Sequence, residues 1–314
     1  MSAVKGEGIA GRRVLVTGGA GFIGSRLCAR LSFLGADVYA TSRSSRGADD
    51  AVQWLPGDVV DQDDVEHAFD VARPEFVFHL AGRVAGDRNL DLVRPMLEDN
   101  LVGAVNVLVA AQKRGQPRVV LAGSMEEPVH SPYASPSSPY AVAKWAATGY
   151  ARLFHALFAL PVVVLRIFMV YGPGQRDQSK LVPYVIESLL RGEAPRLTSG
   201  TRAIDWVYVD DVVDAFLAAA EVENVEGQLL DIGSGTTVTI RDLVRRLAET
   251  MHSSVEPIFG ELPDRLLETG EVADVKRTKE ALGWTPTTAL ASGLRQTVDW
   301  FAERADVEHG GSSA

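Results

Sequence analysis

Residues 14–25, VLVTGGAGFIGS, decide the fold of this chain. Three apolar residues of strand character lead into a glycine-rich turn, and apolar residues at helical spacing follow the turn. Gly18, Gly21 and Gly24 permit a tight turn, a close approach of backbone to a phosphate and packing of the helix on the strand. The spacing GxxGxxG differs from GxGxxG, so the turn is a weak signal by itself. It predicts a strand, turn and helix that bind a dinucleotide.

The composition is that of an ordinary globular protein, with 46% hydrophobic and 23% charged residues among 314. The formal net charge of −10 argues against a nucleic-acid partner or an anionic membrane surface. No apolar run is long enough to span a bilayer, so we expect no membrane segment. The single cysteine, Cys28, lies on the apolar face of the first helix pattern and cannot form an internal disulfide. We therefore expect a cytoplasmic protein, and we predict no metal site.

The order of the patterned segments predicts the architecture. Strand-like and helix-like segments alternate from residue 12 to about residue 168, which indicates a parallel sheet covered by helices on both faces. Beyond Tyr171 the pattern changes to shorter, turn-rich segments that return to the sheet. We predict an α/β protein: a Rossmann-type doubly wound parallel sheet with a smaller, interleaved C-terminal α/β substrate domain. The predicted ranges are 12–171 plus about 204–235 for the dinucleotide domain, 172–203 plus about 236–302 for the substrate domain, and 1–11 and 303–314 for poorly ordered ends.

The end of the second strand discriminates between the two nicotinamide dinucleotides. A carboxylate there binds the ribose 2′-hydroxyl and repels a 2′-phosphate. In this chain the strand ends with Ala-Thr-Ser-Arg-Ser-Ser-Arg, residues 40–46, and this stretch, which includes Ser42 and Arg43, contains no carboxylate. A guanidinium is suited to a phosphate, so NADP(H) is favoured over NAD(H). Asp58, at the end of the third strand, is predicted either to accept from an adenine amino group or to stabilise a turn.

Tyr140 and Lys144 are four residues apart and share one face of a predicted helix. A phenol has a pKa of about 10, so it needs a neighbouring cation to exchange protons near neutral pH. Ser124 ends a strand that we expect beside the start of this helix, where its hydroxyl would hold a substrate carbonyl. We predict that Ser124, Tyr140 and Lys144 are catalytic and that Lys144 lowers the pKa of Tyr140.

The order and spacing of several motifs resemble the extended short-chain dehydrogenase/reductases, in the NAD-dependent epimerase/dehydratase branch. The motifs are TGGAGFIGS, GDVVD, FHLAG, DNLVGAVNVL, YAVAK, RIFMVYGPGQ, DWVYVDDVVDA and LGWTP, and the match covers about residues 12–302. The resemblance implies a homodimer that acts on a nucleoside-diphosphate sugar. It also implies that Lys144 contacts the nicotinamide ribose, that Arg43 binds the 2′-phosphate and that Asn100 is structural. The cofactor-binding residues expected are Gly18, Gly21, Phe22, Ile23, Gly24, Ser42, Arg43, Asp58, Val59, Leu80, Ala81, Gly82 and Lys144.

Some positions depart from the family pattern. Sugar dehydratases carry Thr-Asp-Glu or a similar run where this chain has Ser124, Met125 and Glu126, and a thioether cannot donate the proton that elimination of water needs. The residues Glu-Pro-Val follow where the family has Val-Tyr-Gly, and Met169 replaces an asparagine that is often near the nucleotide sugar. The candidate substrate-binding residues are Arg83, Glu126, Met169, Arg202 and Arg265.

We predict NADPH-dependent reduction of a keto group on a nucleotide-linked keto-deoxysugar, with Tyr140 as general acid. One alternative is a nucleotide-sugar epimerase that uses the same residues and keeps its cofactor bound. A second is a reductase of a carbonyl that is not a sugar, because the Ala-Thr-x-Arg pattern of the second strand also resembles flavonoid-type reductases. A non-catalytic member of the family is disfavoured because Ser124, Tyr140 and Lys144 are all present.

Overall fold

A computed structural model describes residues 7–44, 51–85, 88–128, 135–264 and 270–310. Its strands are β1 (Arg13–Thr17), β2 (Asp37–Ser42), β3 (Gln53–Pro56), β4 (Phe76–His79), β5 (Arg118–Ser124), β6 (Val162–Ile167), β7 (Met169–Tyr171), β8 (Arg196–Leu197), β9 (Ala203–Tyr208), β10 (Leu229–Ile232), β11 (Thr237–Thr239) and β12 (Ile258–Phe259). Its α-helices are α1 (Phe22–Phe33), α2 (Gln62–Ala72), α3 (Val93–Leu97), α4 (Gly103–Lys113), α5 (Pro139–Phe158), α6 (Leu181–Leu190), α7 (Val209–Glu221), α8 (Ile240–Thr250), α9 (Val275–Leu282) and α10 (Leu290–Gly310). Short 3-10 turns lie at Glu7–Ile9 and Leu90–Leu92, and a π-helical turn, Glu98–Val102, joins α3 to α4.

The chain forms two compact units, each built from three separate segments. The first unit is drawn from residues 1–167, 213–232 and 276–284, and the second from 168–212, 233–275 and 285–314.

The first unit contains a seven-stranded sheet in the order β10-β6-β5-β4-β1-β2-β3. Every neighbouring pair in it is parallel. The strands run outward in both directions from β1, which is the doubly wound order that the sequence predicts. All six residues of β6 are buried, as expected for a parallel strand covered on both faces. Cys28 is also buried, on the inner side of α1.

The second unit contains a three-stranded sheet in the order β11-β9-β7 and a two-stranded pair, β8 with β12. Helices α6, α8 and α10 contribute to its own hydrophobic core, in which Ile186, Leu243 and Leu294 are fully buried. Buried carboxylates fix its loops. Asp205 accepts from the backbone N–H of Ser234 at 2.6 Å, and Asp211 accepts from the N–H of Thr287 at 3.0 Å.

The units differ from the predicted domain ranges in four places: residues 168–171, 204–212 and 233–235 fall in the second unit, and residues 276–284 fall in the first. Residues 204–212 fall in the second unit because β9 pairs there with β7 and β11 rather than with the large sheet. Residues 276–284 fall in the first unit, where the Thr278 hydroxyl donates to the carbonyl of Asp231 in β10 at 2.7 Å.

The predicted disordered ends are shorter in the structure. The turn Glu7–Ile9 precedes β1, and Ile9 is fully buried. Helix α10 continues to Gly310, beyond residue 303. Its residues Leu294, Val298 and Phe301 are buried in the second core, so the helix is anchored by packing as well as by its own hydrogen bonds.

Candidate active site

Most of the residues predicted to bind the cofactor lie at one edge of the large sheet. Strands β2, β1, β4 and β5 are consecutive neighbours, and all are parallel, so their carboxyl ends meet at the same edge. Along this edge lie, in order, Arg43 after β2, the glycine turn after β1, residues 80–82 after β4 and Ser124 at the end of β5. This is the edge where ligands bind in open α/β sheets.

The glycine turn connects β1 to α1 through a tight backbone. Gly18 has φ of +72°, and a Cβ placed on it would lie 2.6 Å from the backbone N of Ala81. A Cβ on Gly24 would collide with the carbonyl oxygen of Gly18. Gly21 is the N-cap residue of α1 and has no side chain to cap the helix. The first N–H groups of α1 are therefore open to an external acceptor, which fits a dinucleotide diphosphate.

The end of β2 carries the basic loop that the sequence predicts. Arg43 is exposed, and the hydroxyls of Ser42 and Ser44 lie 3.4 Å apart. Asp37 is at the other end of this strand, where it accepts from the Gln53 amide at 2.8 Å. Within the described residues 37–44, no carboxylate lies at the carboxyl end of β2.

Asp58 has the turn geometry that the sequence offered as one of two alternatives. Its Oδ1 accepts from the N–H of Val60 at 3.1 Å, and its own N–H donates to Asp64 Oδ2 at 2.9 Å. Val59 is buried, and its carbonyl accepts from the Asn106 amide at 3.0 Å. The Asp58 turn therefore directs the Val59 side chain into the core.

The loop after β4 is held by a buried asparagine. Asn100 lies in the π-helical turn, and its amide donates to the carbonyls of Arg83 at 3.0 Å and Met96 at 3.1 Å. A Cβ on Gly82 would lie 2.5 Å from Asn100 Oδ1, so the loop needs glycine there. Arg83 donates from Nε to Asp99 at 2.7 Å. The structural role that the resemblance implies for Asn100 thus agrees with its contacts, and Arg83 already has an acidic partner.

The structure brings Ser124, Tyr140 and Lys144 together. Ser138 caps α5 by accepting from the N–H of Ala141 at 3.1 Å, and this fixes the start of the helix beside β5. Tyr140 is buried beside Ser124. Lys144 is also buried, and its Nζ donates to the carbonyl of Ala122 at 2.6 Å.

The protonation of these groups differs from the sequence expectation. Burial raises the pKa of Tyr140 above its usual value, the charges of Glu126 and Glu127 raise it further, and the hydrogen bond with Ser124 lowers it. Burial lowers the pKa of Lys144 to about 8, and the charge of Glu127 opposes that shift. The expected lowering of the Tyr140 pKa by Lys144 is therefore wrong for this structure: desolvation is the dominant effect, and the ammonium is directed to Ala122.

A family model for the NAD dependent epimerase/dehydratase family matches residues 14–233. The chain belongs to this family. The match includes the glycine turn and the three residues predicted to be catalytic.

Individual members of the epimerase/dehydratase family align along almost the whole chain. A UDP-glucose 4-epimerase from Mycolicibacterium smegmatis is 32% identical over 93% of this chain and 99% of its own length. A probable dTDP-glucose 4,6-dehydratase from Sinorhizobium fredii is 29% identical over 93% of each chain. The solved structure of the Thermus thermophilus UDP-glucose 4-epimerase in complex with NAD superposes with a TM-score of 0.81, at 29% identity, and covers 92% of this chain and 99% of that one.

Other predicted residues of this epimerase/dehydratase family member lie in different places. Glu126 is half-buried after β5, and its Oε2 accepts from the Ser138 hydroxyl at 3.1 Å. In the second unit, Met169 pairs with Trp206 between β7 and β9, and Arg202 precedes β9. Arg265 lies outside the described residues. In the described part of the chain, no helix combines the length and apolar character needed to cross a bilayer.

Two residues at the site were not predicted. Glu127 is fully buried, and its Oε1 accepts from the N–H of Ser124 at 2.7 Å. Glu127 could have been found from the sequence, because it is an acidic residue in a stretch where the family has Val-Tyr-Gly. His79, at the end of β4, is hydrogen-bonded through Nδ1 to the Thr17 hydroxyl at 2.7 Å. Burial, with a smaller effect of Lys144, lowers the pKa of His79 to about 3, so its ring is neutral near pH 7.

Proposed function

We propose that this protein is a nucleotide-sugar epimerase that inverts one carbinol centre of a nucleoside-diphosphate hexose. The observation that carries the proposal is that Tyr140 is buried beside Ser124, with Lys144 buried one helical turn further along α5. Such a set exchanges a proton with a sugar oxygen in both directions, which an epimerase requires. The 32% identity to a UDP-glucose 4-epimerase over 93% of the chain supports this reaction over net ketoreduction.

The chain's own residues have distinct parts in this reaction. A bound nicotinamide dinucleotide would supply reversible hydride transfer at the sugar carbon. Tyr140 takes the proton of the sugar hydroxyl as the carbon is oxidised and gives it back to the oxygen after the ring has presented its other face. Ser124 donates a hydrogen bond to the same oxygen, while Lys144, one helical turn further along α5, donates to the carbonyl of Ala122.

Elimination of water is disfavoured at this site. Met125 is 6% exposed and offers no acidic proton, although Glu126 keeps a carboxylate two residues after Ser124. An epimerase needs one proton-transferring residue at the reacting carbon, and Tyr140 supplies it. The sequence of the loop after β5 therefore separates this chain from the dehydratases in its family.

The test is an assay with UDP-glucose, UDP-galactose and dTDP-glucose, each with NAD and with NADP. The expected result is a 4-epimer, detected by NMR, with no net change in nicotinamide absorbance. Stoichiometric consumption of NADPH on a nucleotide 4-keto-6-deoxysugar, without epimerisation of any substrate, would instead establish the ketoreductase.

That second candidate, the NADPH-dependent ketoreductase, is favoured by one observation. Arg43 is exposed at the end of β2, where a 2′-phosphate would meet a guanidinium. We expect NADP(H) to bind more tightly than NAD(H). We expect Arg43→Ala to weaken NADP(H) binding by about 10–100-fold and to leave NAD(H) binding unchanged, because a charge-assisted hydrogen bond contributes about 1.5–3 kcal/mol. Titration calorimetry with both dinucleotides measures this, and equal losses for the two would contradict the assignment of Arg43.

We also propose that the protein is a homodimer. Apolar side chains are exposed along α3 and α5, which pack together: Val93, Leu97, Val142, Trp145, Leu153 and Leu157. This surface, the α3–α5 surface, lies on two regular helices, which suits pairing with the same surface of a second copy about a two-fold axis.

Trp145→Glu is expected to convert the dimer to a monomer, because it places a charge on the α3–α5 surface. Light scattering after gel filtration measures the mass. Phe33→Glu is the matched control, since Phe33 is 82% exposed on α1 and outside that surface, and it is expected to leave the mass unchanged. A wild-type protein that is monomeric at micromolar concentration would contradict the proposal.

A further inference from the structure

Glu127 is an acidic residue in a position that excludes water. It is 0% exposed, and it follows β5 by three residues. Its carboxylate lies against the strand, since a Cβ placed on Gly123 would be 2.7 Å from Glu127 Oε1. A buried carboxylate is costly unless hydrogen bonds and opposite charges compensate it, so its partners indicate its role.

Those partners belong to the catalytic set. Glu127 Oε1 accepts from the N–H of Ser124 at 2.7 Å. Burial raises the pKa of Glu127, while the Thr148 hydroxyl, the Ser124 N–H, and the charges of Lys144 and Arg166 lower it. Arg166 is fully buried, and its Nε lies 3.0 Å from Asp231 Oδ1. His79, which also faces Lys144, is neutral.

We propose that Glu127 is a positioning residue for the catalytic set, which fixes the backbone of Ser124 and supplies the buried counter-charge of Lys144. The proposal deepens the proposed function, because it explains how Lys144 stays cationic in a buried site. Burial favours the neutral amine of Lys144, and the charge of Glu127 favours the ammonium that donates to the carbonyl of Ala122. An ionised Glu127 therefore opposes the lowering of the Lys144 pKa by burial.

The counter-charge is tested by the pH dependence of trace acetylation at Lys144 with acetic anhydride, read by mass spectrometry, which needs neither substrate nor cofactor. The expected midpoint is about 8 in the wild-type protein. In Glu127→Gln we expect it to fall by about one unit or more, because the nearby anion is gone. Glu126→Gln is the matched control: it removes the neighbouring carboxylate, which acts on Tyr140, and should leave the Lys144 midpoint unchanged.

Identical midpoints in Glu127→Gln and the wild-type protein would overturn the counter-charge role. If Glu127→Gln does not fold, the wild-type value decides: a midpoint of about 5–6, as in buried lysines without an anion, would overturn it.

The positioning role has a separate readout. Glu127→Asp keeps the charge but shortens the side chain by one methylene, which withdraws the acceptor from Ser124. We expect the Ser124 amide to exchange its hydrogen about 10-fold faster or more in this variant. The reason is the loss of one buried hydrogen bond, which contributes about 1–3 kcal/mol. The acetylation midpoint should stay near that of the wild-type protein. Unchanged exchange at Ser124 would overturn the positioning role.

The pH dependence of turnover tests whether the charge of Lys144 matters for the reaction. If the protein is an epimerase, the loss of kcat/KM at alkaline pH should occur at lower pH in Glu127→Gln, by the same shift as the acetylation midpoint. A wild-type protein without epimerase activity would refute the proposed function and leave the acetylation and exchange results to decide the role of Glu127.

Discussion

Tyr140→Phe is expected to lower kcat by roughly 10²–10⁴-fold, because the variant loses the group that moves a proton to and from the sugar oxygen. The change removes one oxygen and leaves the ring in its buried position in α5. Cofactor affinity should change little. The measurement is the rate of epimerisation, together with the dissociation constant of the dinucleotide.

Tyr150→Phe provides the matched control for Tyr140→Phe. It makes the same change on the same helix, at a side chain that is 43% exposed and lies ten residues away. It should retain wild-type turnover. If Tyr140→Phe also kept near-full activity, the proton-transfer role of Tyr140 would be refuted for any carbonyl or carbinol chemistry at this site.

Gly18→Ala is expected to destabilise the protein by roughly 2–5 kcal/mol and to abolish dinucleotide binding. Two effects add at this position. The residue has φ of +72°, which disfavours a side chain, and the new Cβ would lie 2.6 Å from the backbone N of Ala81. Backbone atoms cannot move aside as a flexible side chain can. Urea unfolding and cofactor titration measure the two outcomes.

Gly11→Ala separates backbone strain from the clash. Gly11 has the same φ of +72°, but nothing lies within 4 Å of a Cβ placed on it. Its cost should be limited to about 1–2 kcal/mol, from the left-handed conformation alone. Equal destabilisation by the two substitutions would show that the glycine turn relaxes around the added methyl group and that close packing with the loop after β4 is not essential.

The large sheet could be predicted from sequence because its strands are continuous apolar runs bounded by turn residues. The doubly wound order and the edge that carries the glycine turn and Ser124 are confirmed by the structure. The small sheet was harder to predict. Strands β7 and β11 have three residues each, too few for a periodic pattern, so β9 was assigned to the wrong unit.

At the site, sequence predicts residue types better than it predicts electrostatics. The spacing of Tyr140 and Lys144 gave their common helix face, but the direction of the Tyr140 pKa shift depends on burial and on two carboxylates near the end of β5. Between α3 and α4 the chain forms a π-helical turn that contains Asn100, and side-chain periodicity does not reveal such a turn. The preference for NADP(H) stays a prediction, because a conformation of Arg43 alone does not define a bound phosphate.

The interleaving of the two units has a consequence for synthesis on the ribosome. The first unit takes its last strand from residues 229–232 and its last helix from residues 275–282. Most of the chain must therefore leave the exit tunnel before the large sheet acquires its final strand and the helix bound to it. Until β10 is available, the sheet formed by β1 to β6 has an unpaired edge at β6, and a sheet with such an edge is prone to aggregation. Folding of this protein is consequently completed late in translation, and nascent chains that stop before residue 229 should depend most on chaperones.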